Sequence, residues 1–238
     1  MNIFEMYRKL QKYERAVFSI NELARIFHMT KAVASVYVYR MVKKELLYRI
    51  EKNKVSTNND QFIIASQLNS PAYISFTTAF ALHHTITQIP AKIYITTSRK
   101  RKSINILGME TLFVTIKPKY IFGYRKIRKG HSYIMLADLE KAIIDCLYLP
   151  RYCHLQYVVD ALREADIAKV ESYARTFGKE VVLRRLGYLL DVLGKKHTLQ
   201  RTTSTPYILY PIIRSKGTFN NKWYLYINVE VRPEGNDQ

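Results

Sequence analysis

Two helix starts stand eleven residues apart near the N-terminus, and they constrain the fold more than any other feature of the chain. Ser19 and Glu22 have the spacing of a capping box, in which hydroxyl and carboxylate each satisfy a backbone N–H that the helix leaves free. Ile20, Leu23, Ala24 and Phe27 then recur on one helical face. Residues 27–30 leave room only for a turn. Thr30 is placed to cap a further helix running to about Glu45, with Ala34, Val38 and Met41 on its buried side and Tyr37 beside them. A helix over residues 3–13 precedes both, with Ile3, Tyr7 and Leu10 on one face and Arg8, Lys9 and Lys12 off it.

After the third helix the hydrophobic pattern changes. Leu46-Leu47-Tyr48-Arg49-Ile50, the polar turn Glu51-Lys52-Asn53-Lys54, and Val55 read as two short strands around a basic turn. Three helices followed by such a hairpin predict a winged helix-turn-helix domain over residues 1–58. With Ala34, Val38 and Met41 turned inward, the third helix presents Lys31, Ala32, Ser35, Val36, Tyr39 and Arg40 outward. A recognition helix of this kind fits the major groove of double-stranded DNA. Lys31, Ser35, Tyr39 and Arg40 are therefore the candidates for contacts to bases or adjacent phosphates. Lys43, Lys44, Arg49, Lys52 and Lys54 are the candidates for backbone contacts, which set register but carry little sequence information.

The polar run Ser56-Thr57-Asn58-Asn59-Asp60 and the pair Ser70-Pro71 bracket a boundary, with a short helix or strand over residues 61–68 between them. Residues 70–238 predict a second domain. A helix at 77–84 and strands at 92–97, 111–117, 119–124 and 132–136 come first. Helices at 139–148, 155–164, 167–177 and 180–193 follow, then strands at 207–210 and 223–229. Strands and helices arrive in blocks, so the fold class expected is α+β. The tail, 233–238, is expected to fray.

Charge adds a partner. Lys and Arg number 38 against 19 acidic residues, a net of +19. An excess of that size calls for a polyanion: nucleic acid first, with an anionic membrane or an acidic protein as alternatives. The excess is clustered. Residues 1–56 carry 12 basic and 5 acidic groups, residues 99–129 carry 10 and 1, and residues 138–198 carry 10 and 9. The second cluster begins with Arg99, Lys100, Arg101 and Lys102 between two strands and continues with Arg125, Lys126, Arg128 and Lys129 on an expected loop. It is either a solvated charge run or a second anionic-partner surface that extends a DNA contact, binds RNA or meets an acidic protein.

Other classes find less support. No run approaches the roughly 18 apolar residues of a membrane span, and Arg8, Lys9 and Lys12 interrupt any signal-like core, so a cytoplasmic location is expected. Cys146 and Cys153 make no disulfide framework, and with His154 they lack zinc-site spacing; a half-buried helix thiol is the expectation, with no metal and no cofactor. Asp138 and Asp145 share one helical face and could hold a metal, but Asp138 falls where an N-cap belongs. His83 and His84 read as packing or capping residues. No phosphate-binding glycine loop or nucleophile motif is present, so a binding protein is expected rather than an enzyme.

Leu23-Ala24, the four-residue turn, Thr30-Lys31-Ala32, Met41 and Lys43-Lys44-Glu45-Leu46-Leu47 resemble the winged helix of many bacterial and archaeal regulators. His28 and Glu45 depart from that pattern, standing where glycine is usual, which leaves room for a differently shaped turn. Tyr73-Ile74-Ser75-Phe76-Thr77-Thr78-Ala79-Phe80, His83 and Ile93-Tyr94-Ile95-Thr96-Thr97 are similar to the start of the antitoxin domain of AbiEi-type proteins. Ala137-Asp138-Leu139-Glu140-Lys141-Ala142-Ile143-Ile144-Asp145-Cys146-Leu147 with Pro150, and Arg185-Leu186-Gly187-Tyr188-Leu189-Leu190, resemble two later blocks of that family. The resemblance implies a type IV antitoxin of abortive-infection defence. Such a protein would repress its own operon through the winged helix and counter a nucleotidyltransferase toxin. Either a monomer on repeated half-sites or a homodimer is compatible with that role. The alternative is an RNA-binding or nucleic-acid-processing protein that uses the second basic cluster.

Overall fold

The computed structural model describes residues 2–88 and 90–231. Its mixture of helix and strand blocks is α+β, as the block order predicts. The chain packs as two compact units that interleave in sequence. One comprises the residues up to Ile74 with Ala91–Ile116 and Arg125–Leu136; the other comprises Ser75–Pro90, Lys117–Tyr124 and the chain from Ala137 onward. The split at residues 58 and 70 is a division by sequence pattern. Compactness divides the chain differently, because strands far apart in sequence share one sheet.

The first unit opens with helix α1 (Ile3–Gln11), strand β1 (Val17–Ser19), helices α2 (Ile20–Ile26) and α3 (Lys31–Lys43), and strands β2 (Tyr48–Glu51) and β3 (Lys54–Ser56). Ser19 and Glu22 form the capping box that their spacing predicts, and the Thr30 hydroxyl accepts from the Val33 N–H. Strand β1 was not anticipated. It pairs antiparallel with β3, setting Phe18 opposite Val55, so that β1, β3 and β2 form a three-stranded sheet. Met6, Leu10, Phe18, Leu23, Val38, Met41, Leu47 and Val55 close one core beneath the helices. Each buried side chain of this size contributes on the order of 1.5–3 kcal/mol.

Helix α4 (Gln61–Gln67), capped by Asp60, resolves the segment left open as helix or strand. A six-stranded sheet completes this unit: β4 (Ala72–Ile74), β5 (Lys92–Thr97), β6 (Ile104–Ile106), β7 (Met109–Thr115), β8 (Tyr124–Lys129) and β9 (Ser132–Ala137), in the order β6-β7-β5-β4-β9-β8. It is mixed: β5 runs parallel to β7 and antiparallel to β4, and β4 runs parallel to β9. The strand expected at 119–124 is instead a 3-10 turn at Pro118–Tyr120. Proline supplies no backbone N–H for a ladder there, and the strand begins only at Tyr124. Arg125, Lys126, Arg128 and Lys129 therefore lie on an edge strand rather than a loop. Gly130, at φ 60°, allows the two-residue turn that lays this strand beside β9.

In the second unit α6 (Leu139–Tyr148) is central. Packed on it are α5 (Phe76–Leu82), α7 (Leu155–Glu164), α8 (Ile167–Phe177) and α9 (Glu180–Val192). Strands β10 (Tyr207–Ile208), β11 (Thr218–Asn220) and β12 (Leu225–Ile227) form a small sheet in the order β10-β12-β11. The last two strands expected from the sequence shorten to β10 and β12, and β11 is additional. The predicted fraying at 233–238 lies outside the described residues. No helix among the described residues is long and apolar enough to cross a membrane.

Candidate nucleic-acid interface

Helix α3 is built to show one face. Ala34, Val38 and Met41 are buried, while Lys31, Ala32, Val36, Tyr39 and Arg40 are exposed. Val33, Val36 and Tyr39 leave 43%, 49% and 62% of their surface in solvent, so the outward row is apolar as well as basic. Helix α3 contains no acidic residue. Lys31, Lys43 and Lys44 form no ion pair among the described residues, and the Arg40 guanidinium lies 5.9 Å from the Tyr37 ring. The Ser35 hydroxyl donates back to the Lys31 carbonyl at 2.8 Å, leaving its oxygen as an outward acceptor.

The turns at either end of this helix retain a glycine-like backbone without glycine. His28 has φ 53° and Glu45 φ 56°. In each case the next N–H reaches five residues back, Met29 to Ala24 at 2.9 Å and Leu46 to Met41 at 2.9 Å. These are left-handed helix caps. The departures at His28 and Glu45 thus leave the turns unchanged in shape and carry a conformational cost instead. The α2 start is also firmly set. Burial opposes ionisation of Glu22, but the Ser19 N–H and hydroxyl and the Arg15 guanidinium outweigh it and hold the carboxyl down at about 2.

The hairpin cations divide. Lys52 is exposed at the β2–β3 turn, and Arg49 is exposed with its guanidinium 3.5 Å from the Lys52 carbonyl. Lys54 is drawn inward: its ammonium meets Glu51 at 3.1 Å and the Leu68 carbonyl at 2.8 Å. It anchors the hairpin, which removes it as a phosphate contact.

The second cluster is not one surface. Arg99, Lys100 and Lys102 are exposed, but Arg101 pairs with Glu51 at 2.6 Å, donates to Asn69 at 3.0 Å and lies over the Phe113 ring. Lys126 pairs with Glu14, and Lys129 pairs with Asp60 at 2.6 Å. The Arg128 guanidinium donates to the Gly130 carbonyl at 3.3 Å. Arg125 is exposed beside them. Lysine and arginine along an edge strand also discourage pairing with another chain, which gives this charge a structural purpose.

The carboxylates weighed as a metal pair have other partners. Asp138 stands at the N-cap position of α6, yet its side chain caps nothing there. It accepts instead from the Tyr173 hydroxyl at 2.9 Å and pairs with Lys169 at 3.1 Å. Asp145 is buried between the Lys141 ammonium and the Ser75 hydroxyl, which donates at 2.8 Å. Burial pulls Lys141 below the usual lysine range while Asp145 opposes that shift. Cys146 and Cys153 are both buried, further than expected, and burial pushes the Cys146 thiol up. The His83 Nε2 is hydrogen-bonded to the Ala137 carbonyl at 2.8 Å.

The crystal structure of the RV2827C protein from Mycobacterium tuberculosis is similar to this chain in fold. It covers 92% of this chain and 88% of its own length, with a TM-score of 0.55 at 12% identity. No family model and no curated protein matches the chain.

Proposed function

We propose that residues 1–58 form a winged helix-turn-helix domain and that the protein is a sequence-specific DNA-binding transcriptional regulator. The observation that carries this is the outward face of α3, where Val33, Val36 and Tyr39 are exposed among Lys31, Arg40 and Lys43 with no acidic residue on the helix. Basic side chains suit phosphates and guanine edges, while valine and tyrosine suit thymine methyl groups in the major groove. The element order agrees: a short strand, two helices and a hairpin whose turn exposes Lys52. Following the resemblance of the later blocks to AbiEi-type antitoxins, the regulator represses its own operon and neutralises a nucleotidyltransferase toxin.

Fluorescence anisotropy tests the DNA reading, with the full chain titrated onto duplex DNA from upstream of its own reading frame and onto a scrambled duplex. The expected result at moderate salt is tighter binding to the native sequence, with a log–log salt slope set by the phosphate contacts. Equal affinity for both duplexes overturns sequence-specific regulation. Co-expression with a neighbouring nucleotidyltransferase, read as restored growth, tests the antitoxin part.

A further inference from the structure

We propose that a cavity in the first unit, at the C-terminal end of α1, binds a phosphorylated small molecule of nucleotide size. The cavity holds about 480 Å³, within the roughly 300–1,000 Å³ of small-molecule sites. Four cations from two parts of the chain line it: Arg8 on α1, Lys12 at its C-cap and Arg15 before β1, with Lys129 at the end of β8. Among the described residues no acidic one lines it. Arg15 is paired with Glu22 at 2.7 Å and Lys129 with Asp60 at 2.6 Å. Arg8 and Lys12 form no ion pair among the described residues and are available to an anion. Cations at a helix C-terminus complement the helix dipole. That accounts for Arg8 and Lys12, and the ion pair with Asp60 holds Lys129 in the same lining.

The walls are fixed before any ligand arrives. The Ser132 hydroxyl donates to the Glu14 carbonyl at 2.6 Å, and the Thr57 N–H donates to the Ala16 carbonyl at 3.0 Å. Gln67 accepts from the Ala16 N–H at 2.7 Å while donating to the Tyr133 carbonyl at 2.8 Å. A preformed site loses little to ordering on binding. Tyr13 and Ala16 supply an apolar wall, with the Tyr13 ring set edge-on to Phe18 at 5.7 Å. A planar base can lie against that wall while its phosphates meet Arg8, bidentately, and Lys12.

Isothermal titration of the full chain with ADP, inorganic pyrophosphate and adenosine tests the site. ADP and pyrophosphate should bind one to one and adenosine should not. Arg8→Glu/Lys12→Glu should weaken ADP at least tenfold, whereas Lys195→Glu/Lys196→Glu, the same charge change elsewhere, should leave it within about twofold. Tyr13→Ala should weaken ADP more than pyrophosphate, and Lys31→Ala/Arg40→Ala should leave ADP unaffected. Absence of saturable ADP binding, an equal loss in both charge-reversal variants, or a loss in the α3 variant overturns the proposal. If circular dichroism shows the first variant unfolded, Arg8→Gln/Lys12→Gln probes the same contacts.

Discussion

Helices α3 and α9 both carry basic residues and use them in opposite ways. Helix α3 holds Lys31, Arg40 and Lys43 outward with no acidic residue on the helix. Helix α9 buries Arg184 and Arg185. The first donates to Glu180 at 2.8 Å and to the Thr205 carbonyl at 2.5 Å; the second donates to the Leu147 carbonyl at 2.6 Å and the Ile208 carbonyl at 2.8 Å. Burial lowers Arg185 to about 10, still ionised at neutral pH. A fully buried guanidinium is tolerated only when fixed acceptors replace its water. Cations on α9 therefore tie the C-terminal segment to the helical core, whereas those on α3 remain available to a partner. The comparison predicts that substitutions in the second unit cost stability and substitutions on α3 cost binding.

The largest stability loss is expected at the buried pair of α6. Lys141→Met removes the ammonium paired with the buried Asp145 carboxylate, and should cost about 3–5 kcal/mol in denaturant unfolding. The double variant Lys141→Met/Asp145→Leu should recover much of that loss, because hydrophobic replacement of a buried pair is often tolerated. A single variant as stable as the parent would show that α6 does not depend on the pair.

Gly187 comes next. A Cβ there would stand 2.2 Å from the Trp223 ring, which is itself buried and donates from its indole N–H to Asp191 at 2.6 Å. Gly187→Ala should cost about 1–3 kcal/mol by overpacking. Trp223 is the only tryptophan of the chain, so its emission should shift in the native state as the ring is displaced. An unmoved spectrum and midpoint would mean that the segment around Trp223 adjusts freely.

On α3 the same scale of effect should appear in affinity alone. Arg40→Ala and Lys31→Ala should each weaken the native duplex by about 1–3 kcal/mol and reduce its advantage over scrambled DNA. Lys52→Ala should weaken both duplexes alike and flatten the salt slope by about one. Unfolding midpoints should stay within about 0.5 kcal/mol of the parent. Lys54→Ala is the internal control: its ammonium is held by Glu51 and Leu68, so it should lower stability and leave the salt slope unchanged.

The contrast between the helices was half legible in the sequence. Hydrophobic periodicity is a local signal, and it located α2, α3 and the four long helices of the second unit within a residue or two. Capping chemistry is equally local, so Ser19, Glu22 and Thr30 were read correctly. Strand β1 is three residues long, too short for alternation to register, and it exists because β3 offers it an edge. The fate of individual cations was not readable either. Glu51 and Arg101 are fifty residues apart in sequence, and only the fold makes them partners. Net charge by segment therefore located basic stretches without showing that Lys54, Arg101, Lys126 and Lys129 are already engaged. The α1 cavity escaped for the same reason, since Lys129 joins Arg8, Lys12 and Arg15 from more than a hundred residues away.

The smallest effect concerns the helix caps that frame α3. His28 and Glu45 are exposed at φ 53° and 56°, a region that costs most L-residues about 1 kcal/mol or more. Glycine relieves that strain but loses more freedom on folding, offsetting part of the gain. Glu45→Gly should therefore stabilise by a few tenths to about 1 kcal/mol, read as a small rise in thermal midpoint. It also removes a negative charge just beyond the C-terminal end of α3, where a carboxylate opposes both the helix dipole and an approaching phosphate. DNA affinity should rise slightly for every sequence with no change in preference. His28→Gly, at the other end of α3, should raise stability to a similar extent and leave affinity alone. If both variants gain stability but only Glu45→Gly gains affinity, the C-terminal end of α3 lies near the phosphate backbone. If affinity is unchanged in both, the helix meets its partner elsewhere along its length, and the contacts assigned to Lys43 and Lys44 fall with it.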